Sequence, residues 1–214
     1  MKRYFGKRIA VILSAFLYIT TAFAPLTAYA APASEADYAA AAEERKSLPV
    51  QSNEIVNWPT GPAVSAQSAI LLEANTGTIL YAKNIHQKSY PASTTKLMTC
   101  LVAAERAKMG EMVTFSHDAV YSIEPGSAHI AIQEGETLTL EQVLRAIILR
   151  SANEASNGVA EYVDGSVEAF TKHMTERAKE LGCKNTNFLT ANGLHNENHY
   201  TTVRDMAIIA RAAM

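Results

Sequence analysis

The sequence predicts an α+β domain, a mainly helical cluster beside an antiparallel sheet. Three observations lead there. Two continuous apolar runs flank Asn75-Thr76-Gly77, a hairpin pattern in which the glycine supplies the positive φ of the turn. Several later segments repeat apolar residues at helical spacing behind Ser or Thr caps. Amphipathic helices beside a hairpin that needs covering make a mixed layer architecture, and no internal repeat points elsewhere.

The chain opens with Lys2, Arg3, Lys7 and Arg8, an apolar run over residues 9–24, and the small-residue site Ala28-Tyr29-Ala30. This reads as a secretory signal peptide cleaved near Ala30. The alternative is a retained spanning anchor; Pro25 and the Ala-x-Ala site favour cleavage. Removing the four positive charges takes the formal charge from −2 to −6. The mature chain is therefore mildly acidic and has neither a basic nucleic-acid face nor a Gly-rich phosphate loop after a strand. Export permits Cys100 and Cys183 to pair, but each reads better as a small buried thiol.

Residues 31–62 shift to Ala, Glu, Ser and Pro and read as a flexible linker, transiently helical at most, with Trp58 capping the domain that follows. The folded domain spans residues 63–214. Its hairpin, over residues 68–82, has a continuous rather than alternating apolar run, which predicts a strand covered on both faces. A helix then starts at Pro91-Ala92-Ser93 and runs to about Lys108. Residues 113–135 read as short strands and loops, where His117, Asp118 and Ser127 lack metal-ligand spacing. Thr139 and Gln142 form a capping box for a helix whose Val143, Leu144, Ile147 and Ile148 face the core and which delivers residues 151–155. Ser166 caps a further helix, with Phe170, Met174, Ala178 and Leu181 inward and Gly182 closing it. After a loop at residues 187–194, Thr202 opens the last helix.

Chemistry concentrates at Ser93-Thr94-Thr95-Lys96. A serine hydroxyl needs a base, and a neutral lysine amine three residues on shares its helix face. Desolvation and the positive end of a helix both push a lysine towards neutrality. The Ser93 amide is placed to serve as half of an oxyanion hole, with Lys96 expected at the rim of the site. The competing reading is a capping serine before a surface helix. A second pattern, Ser151-Ala152-Asn153, reads by itself as a polar turn between helices.

Taken together, Ser93-Thr94-Thr95-Lys96 and Ser151-Ala152-Asn153 resemble the D-alanyl-D-alanine carboxypeptidases among the low-molecular-weight penicillin-binding proteins. The similarity extends through Glu73-Ala74-Asn75-Thr76-Gly77, Leu181-Gly182-Cys183-Lys184-Asn185-Thr186-Asn187-Phe188, Asn192-Gly193-Leu194 and His199-Tyr200-Thr201-Thr202. It implies a penicillin-binding protein or β-lactamase-like transpeptidase fold, and serine acyl transfer on peptidoglycan stem peptides ending in D-Ala-D-Ala. Ser93 would be the nucleophile, Lys96 its base, Ser151 a proton relay and Asn153 a substrate-binding group. β-Lactams are the implied inhibitors, and no metal or organic cofactor is implied. Nucleic acid is no partner, and membrane association would come only through segments absent from this chain.

The family pattern also expects a Lys-Thr-Gly strand after the second motif, and the sequence contains none. An N-terminal portion of a longer enzyme is therefore expected, incomplete at its C-terminus and impaired in activity. The alternative is a catalytically inactive peptidoglycan-binding or regulatory fragment. A class A β-lactamase fits less well, since Ala152 stands where that family expects Asp. His195 and His199 flank Glu197 but lie in a loop rather than in a helical His-Glu-x-x-His, which argues against zinc.

Overall fold

The computed structural model describes residues 34–50 and 61–214. The expected signal peptide, Trp58 and parts of the expected linker lie outside these residues. By internal contacts the chain divides into residues 1–40 and 41–214. In the described part of the first unit, Ser34 and Asp37 bond reciprocally, side chain to backbone in both directions, and cap helix α1 (Glu35–Lys46). None of the α1 residues is buried.

In the second unit β1 (Ala69–Leu72) and β2 (Ile79–Lys83) form the expected antiparallel hairpin. Its turn is fixed by the Glu73 carboxylate, which accepts from the Asn75 and Thr76 amides, and by Gly77 at φ +74°. Lys83 is wholly buried and donates to the carbonyls of Arg45 and Val64, so backbone on the N-terminal side of the hairpin is bonded to its second strand. The expectation of cover on both faces is corrected: Leu71 is 57% exposed. Ile70, Leu72, Leu97 and Met206 line a groove of about 670 Å³ on this side, and the continuous apolar run serves that groove as well as the core.

A short 3₁₀ turn (Ala92–Thr95) continues directly into α2 (Lys96–Arg106), which ends at Ala107, before the expected Lys108. Next come β3 (Met112–Thr114), α3 (His117–Tyr121), β4 (Thr137–Thr139) and α4 (Leu140–Arg150). β3 pairs antiparallel with β4, and the Thr139–Gln142 capping box is formed. Ser116 caps α3 by accepting from the Ala119 amide; this helix falls where short strands and loops are expected.

The larger departure is α5 (Asn153–Asp164): its start, Ser151-Ala152-Asn153, reads from sequence as a turn, and no helix is expected over the residues that follow. Its first eight residues are all buried, four of them the polar Asn153, Glu154, Ser156 and Asn157. Ala155, Val159, Tyr162 and Val163 recur along it at helical spacing, but its first two turns bury polar side chains as well. Gly158 admits the Phe115 ring, whose carbon would stand 2.3 Å from any Cβ placed there. The remaining helices, α6 (Val167–Glu180) behind the Ser166 cap and α7 (Val203–Ala213) behind the Thr202 cap, agree with expectation.

Two apolar clusters result. One gathers Ala103, Val113, Phe115, Leu140, Val143, Ile147, Ala155 and Val159; the other gathers Met98, Val102, Ala160, Phe170, Met174, Phe188 and Ile209. α2 and α5 contribute to both, and so are clamped between them. Both cysteines are free.

Candidate active site

The two clamped helices present their first turns to each other. Lys96 opens α2 and Asn153 opens α5. Lys96 Nζ donates to Asn153 Oδ1 at 2.7 Å and to the Asn192 carbonyl at 2.6 Å, and stands 3.4 Å from Ser93 Oγ. Both short partners are acceptor-only oxygens, so they occupy two of the amine's hydrogens. The third tetrahedral position of Nζ faces Ser93. In the ammonium form it carries a proton; in the neutral form it carries a lone pair able to accept the Ser93 hydroxyl proton.

Burial favours the second form. Lys96 is only 3% exposed, which corrects the expectation of a rim position. Desolvation by burial lowers its pKa to about 8. Cys100 is pushed up to about 12 by burial, and remains a thiol near neutral pH. Ser93 is exposed and open to a reactant, whereas Lys96 is enclosed.

The structure thus brings Ser93, Lys96 and Asn153 together. Ser151 lies at the α4–α5 junction as the C-cap of α4, in the left-handed region at φ +54°. Among the described residues its hydroxyl makes no hydrogen bond to the other three.

Residues beyond the two motifs complete the surroundings. The loop carrying Asn192 is held to α2 by Thr99 Oγ1, which donates to the Ala191 carbonyl, and to α5 by Asn192 Nδ2, which donates to Asn157 Oδ1. His199, considered above for zinc, is 1% exposed with both ring nitrogens engaged. Its Nδ1 accepts from the Leu189 and Thr190 amides, which fixes the proton on Nε2, and Nε2–H donates to Thr95 Oγ1. Burial, with His195 nearby, lowers its pKa to about 4 and keeps the ring neutral. Glu154 is buried and accepts from the Ile130 amide, tying the loop before β4 to α5. No local signal marks these residues in the sequence, because each works through partners 9 to 104 positions away.

The chain is similar to known proteins. A family model described as D-alanyl-D-alanine carboxypeptidase matches residues 55–214. A Bacillus subtilis D-alanyl-D-alanine carboxypeptidase, DacF, is 42% identical over 154 residues, and DacA of Escherichia coli K12 is 35% identical over 162. These alignments cover 70% and 72% of this chain but 39% and 40% of those proteins, so the chain spans about two fifths of the length of these relatives. Penicillin-binding protein 6B from Escherichia coli is similar in structure with TM-score 0.69 and 33% identity, over 75% of this chain and 53% of its own. Penicillin-binding protein 5 from Haemophilus influenzae gives 0.67 and 35%, over 72% and 46%.

Proposed function

Because this chain belongs to the D-alanyl-D-alanine carboxypeptidase family, we propose that it acts by serine acyl transfer on peptidoglycan stem peptides ending in D-Ala-D-Ala. The observation that carries this reading is Lys96 Nζ, whose two acceptor-only partners leave its third position for Ser93.

In the proposed reaction Ser93 Oγ attacks the carbonyl carbon of the penultimate D-alanine while its proton passes to neutral Lys96 Nζ. Oxyanion charge develops where the Ser93 N–H can donate. Collapse of the tetrahedral intermediate breaks the C–N bond. The departing D-alanine amine takes a proton that originates on Lys96, relayed by the Ser151 hydroxyl. Water then attacks the ester carbonyl as Lys96 takes its proton; collapse breaks the bond to Ser93 Oγ, which receives that proton back from Lys96, and the shortened peptide leaves as a carboxylic acid. Asn153 holds Lys96 through Oδ1, and its Nδ2 is assigned to the substrate amide. With a pKa of about 8, roughly a tenth of Lys96 is neutral at pH 7, enough for a base that is regenerated every cycle.

β-Lactams, which present an acylating amide to the same serine, are proposed as covalent inhibitors, consistent with neighbours titled penicillin-binding proteins. We further assign residues 1–30 to an export signal, 31–62 to a linker and 63–214 to the catalytic domain, placing the protein outside the cytoplasm. No helix among the described residues is long and apolar enough to cross a membrane.

The test is labelling with a fluorescent penicillin. Stable labelling that disappears in Ser93→Ala is expected. Folded protein that takes no label would instead favour a peptidoglycan-binding role without catalysis.

A further inference from the structure

Gly193 has a close neighbour that the proposed mechanism does not use. A Cβ at this position would stand 2.0 Å from the carbonyl oxygen of Ala92, 2.5 Å from its carbonyl carbon and 3.0 Å from Thr95 Oγ1. Gly193 also lies at φ +87°, so both space and conformation require glycine. On the other side of the contact, Ala92 is held at φ +47°, a left-handed conformation that an alanine rarely adopts. The strained residue immediately precedes the proposed nucleophile.

The peptide joining Ala92 and Ser93 is trans, since the described residues contain no cis bond. In a trans peptide the carbonyl and the following N–H point in opposite directions. With the Ala92 oxygen against Gly193, the Ser93 N–H must point away from that loop. That N–H makes no hydrogen bond to another described residue. The same loop accepts from Lys96 through the neighbouring Asn192 carbonyl at 2.6 Å. One short segment therefore touches both the peptide that carries the Ser93 amide and the proposed base.

We propose that Gly193 is a positioning residue: its bare backbone walls the Ala92 carbonyl, holds Ala92 in the left-handed region, and so aims the Ser93 N–H at the developing oxyanion. This rests on the reading of Ser93 as the acylated serine. A methyl at 193 would displace the Ala92 oxygen and turn the Ser93 amide, while leaving Ser93 Oγ and Lys96 chemically intact.

The experiment compares Ala92→Gly with the double variant Ala92→Gly/Gly193→Ala. Glycine at 92 lets the peptide swing aside for the new methyl, so the double variant can fold even where Gly193→Ala alone cannot. Stopped-flow acylation by a fluorescent penicillin separates the pre-covalent dissociation constant from the acylation rate constant. The double variant should lose about tenfold or more in the rate constant relative to Ala92→Gly, with the dissociation constant little changed. Residual dipolar couplings of the ¹⁵N-labelled Ser93 amide should show its N–H direction altered in the double variant. This second readout does not depend on activity, so a protein that never acylates still tests the positional claim while the acyl-transfer reading fails separately. Equal rate constants together with an unchanged N–H direction in the two variants would overturn the assignment.

Discussion

Asn153 Oδ1 accepts from Lys96 Nζ at 2.7 Å, joining the first turn of α5 to that of α2 across 57 positions of sequence. The bond fixes the place of the amine, so a charge put at position 153 would act on it directly. Replacing Asn153 by Asp keeps the acceptor and adds a carboxylate, which favours the ammonium and raises the Lys96 pKa by about 1 to 3 units. Acylation of Asn153→Asp by a fluorescent penicillin should fall more than about tenfold at pH 7 and recover on the alkaline side. An unchanged pH–rate profile would count against Lys96 as the base.

In the unaltered protein the same logic gives a pH–rate profile. The neutral amine is the reactive form, so the acylation rate should rise with pH and level off above about 8. Stability follows the same titration. Between pH 8 and the ordinary lysine value of 10.5 the unfolded chain binds a proton that the folded chain does not, so the Lys96 contribution to stability rises across that window. Rate constants measured from pH 6 to 10 check the first part; a profile flat through pH 8 contradicts it.

Lys96→Ala should abolish acylation and also destabilise the fold. The substitution relieves the desolvation of a buried ammonium, worth roughly 3 kcal/mol from its shift. Against this it leaves a cavity, costing about 2 to 5 kcal/mol, and strips the Asn153 and Asn192 oxygens of their donor, at about 1 to 3 kcal/mol each. The losses exceed the relief, so a net destabilisation of about 1 kcal/mol or more is expected in urea unfolding. A variant as stable as the parent would show that the buried partners contribute nothing.

His199 predicts acid sensitivity. Its folded pKa of about 4 lies below the ordinary 6.5, so between these values the unfolded state holds the extra proton. Stability should therefore fall as pH drops from 6.5 through 4, by roughly 3 kcal/mol from this residue. His199→Gln keeps an N–H for Thr95 but cannot titrate. Urea unfolding at pH 7 and pH 4 should show a smaller difference for the variant than for the parent; equal differences would remove His199 as the cause.

Gly158→Ala sets two effects against each other. Alanine gains about 1 kcal/mol of helix propensity over glycine, but its methyl would stand 2.3 Å from the buried Phe115 ring. Overpacking of this kind costs about 1 to 3 kcal/mol, and Phe115, 1% exposed, has little room to retreat. A net loss is expected in the urea midpoint, whereas a gain would mean that the ring repacks freely.

Legibility of the fold followed the local physics. The hairpin turn at Gly77, the caps at Thr139, Ser166 and Thr202, and the amphipathic stripes of α4, α6 and α7 depend on residues a few positions apart, and all were readable. α5 carries such a stripe too, at Ala155, Val159 and Val163, but the burial of its polar residues rests on partners from distant segments: Asn153 with Lys96, Glu154 with Ile130, Asn157 with Asn192. The depth at which Lys96 is buried, beyond the expected rim position, has the same origin. A lysine at a helix start is ordinarily solvated, and only the packing of α5 and the Asn192 loop over it encloses this one.

By itself the sequence determined the α+β composition, the spacing that puts Lys96 one helical turn after Ser93, and the family resemblance carried by Ser93, Lys96, Ser151 and Asn153. Only the tertiary structure decided that two helices clamped between separate apolar clusters face each other at their first turns. It likewise decided that Lys96 loses its solvent and that Gly193 abuts the peptide before Ser93. Propensity and periodicity act over one or two turns of chain, whereas desolvation and close backbone approach arise from segments brought together by burial of apolar surface, which no local pattern encodes.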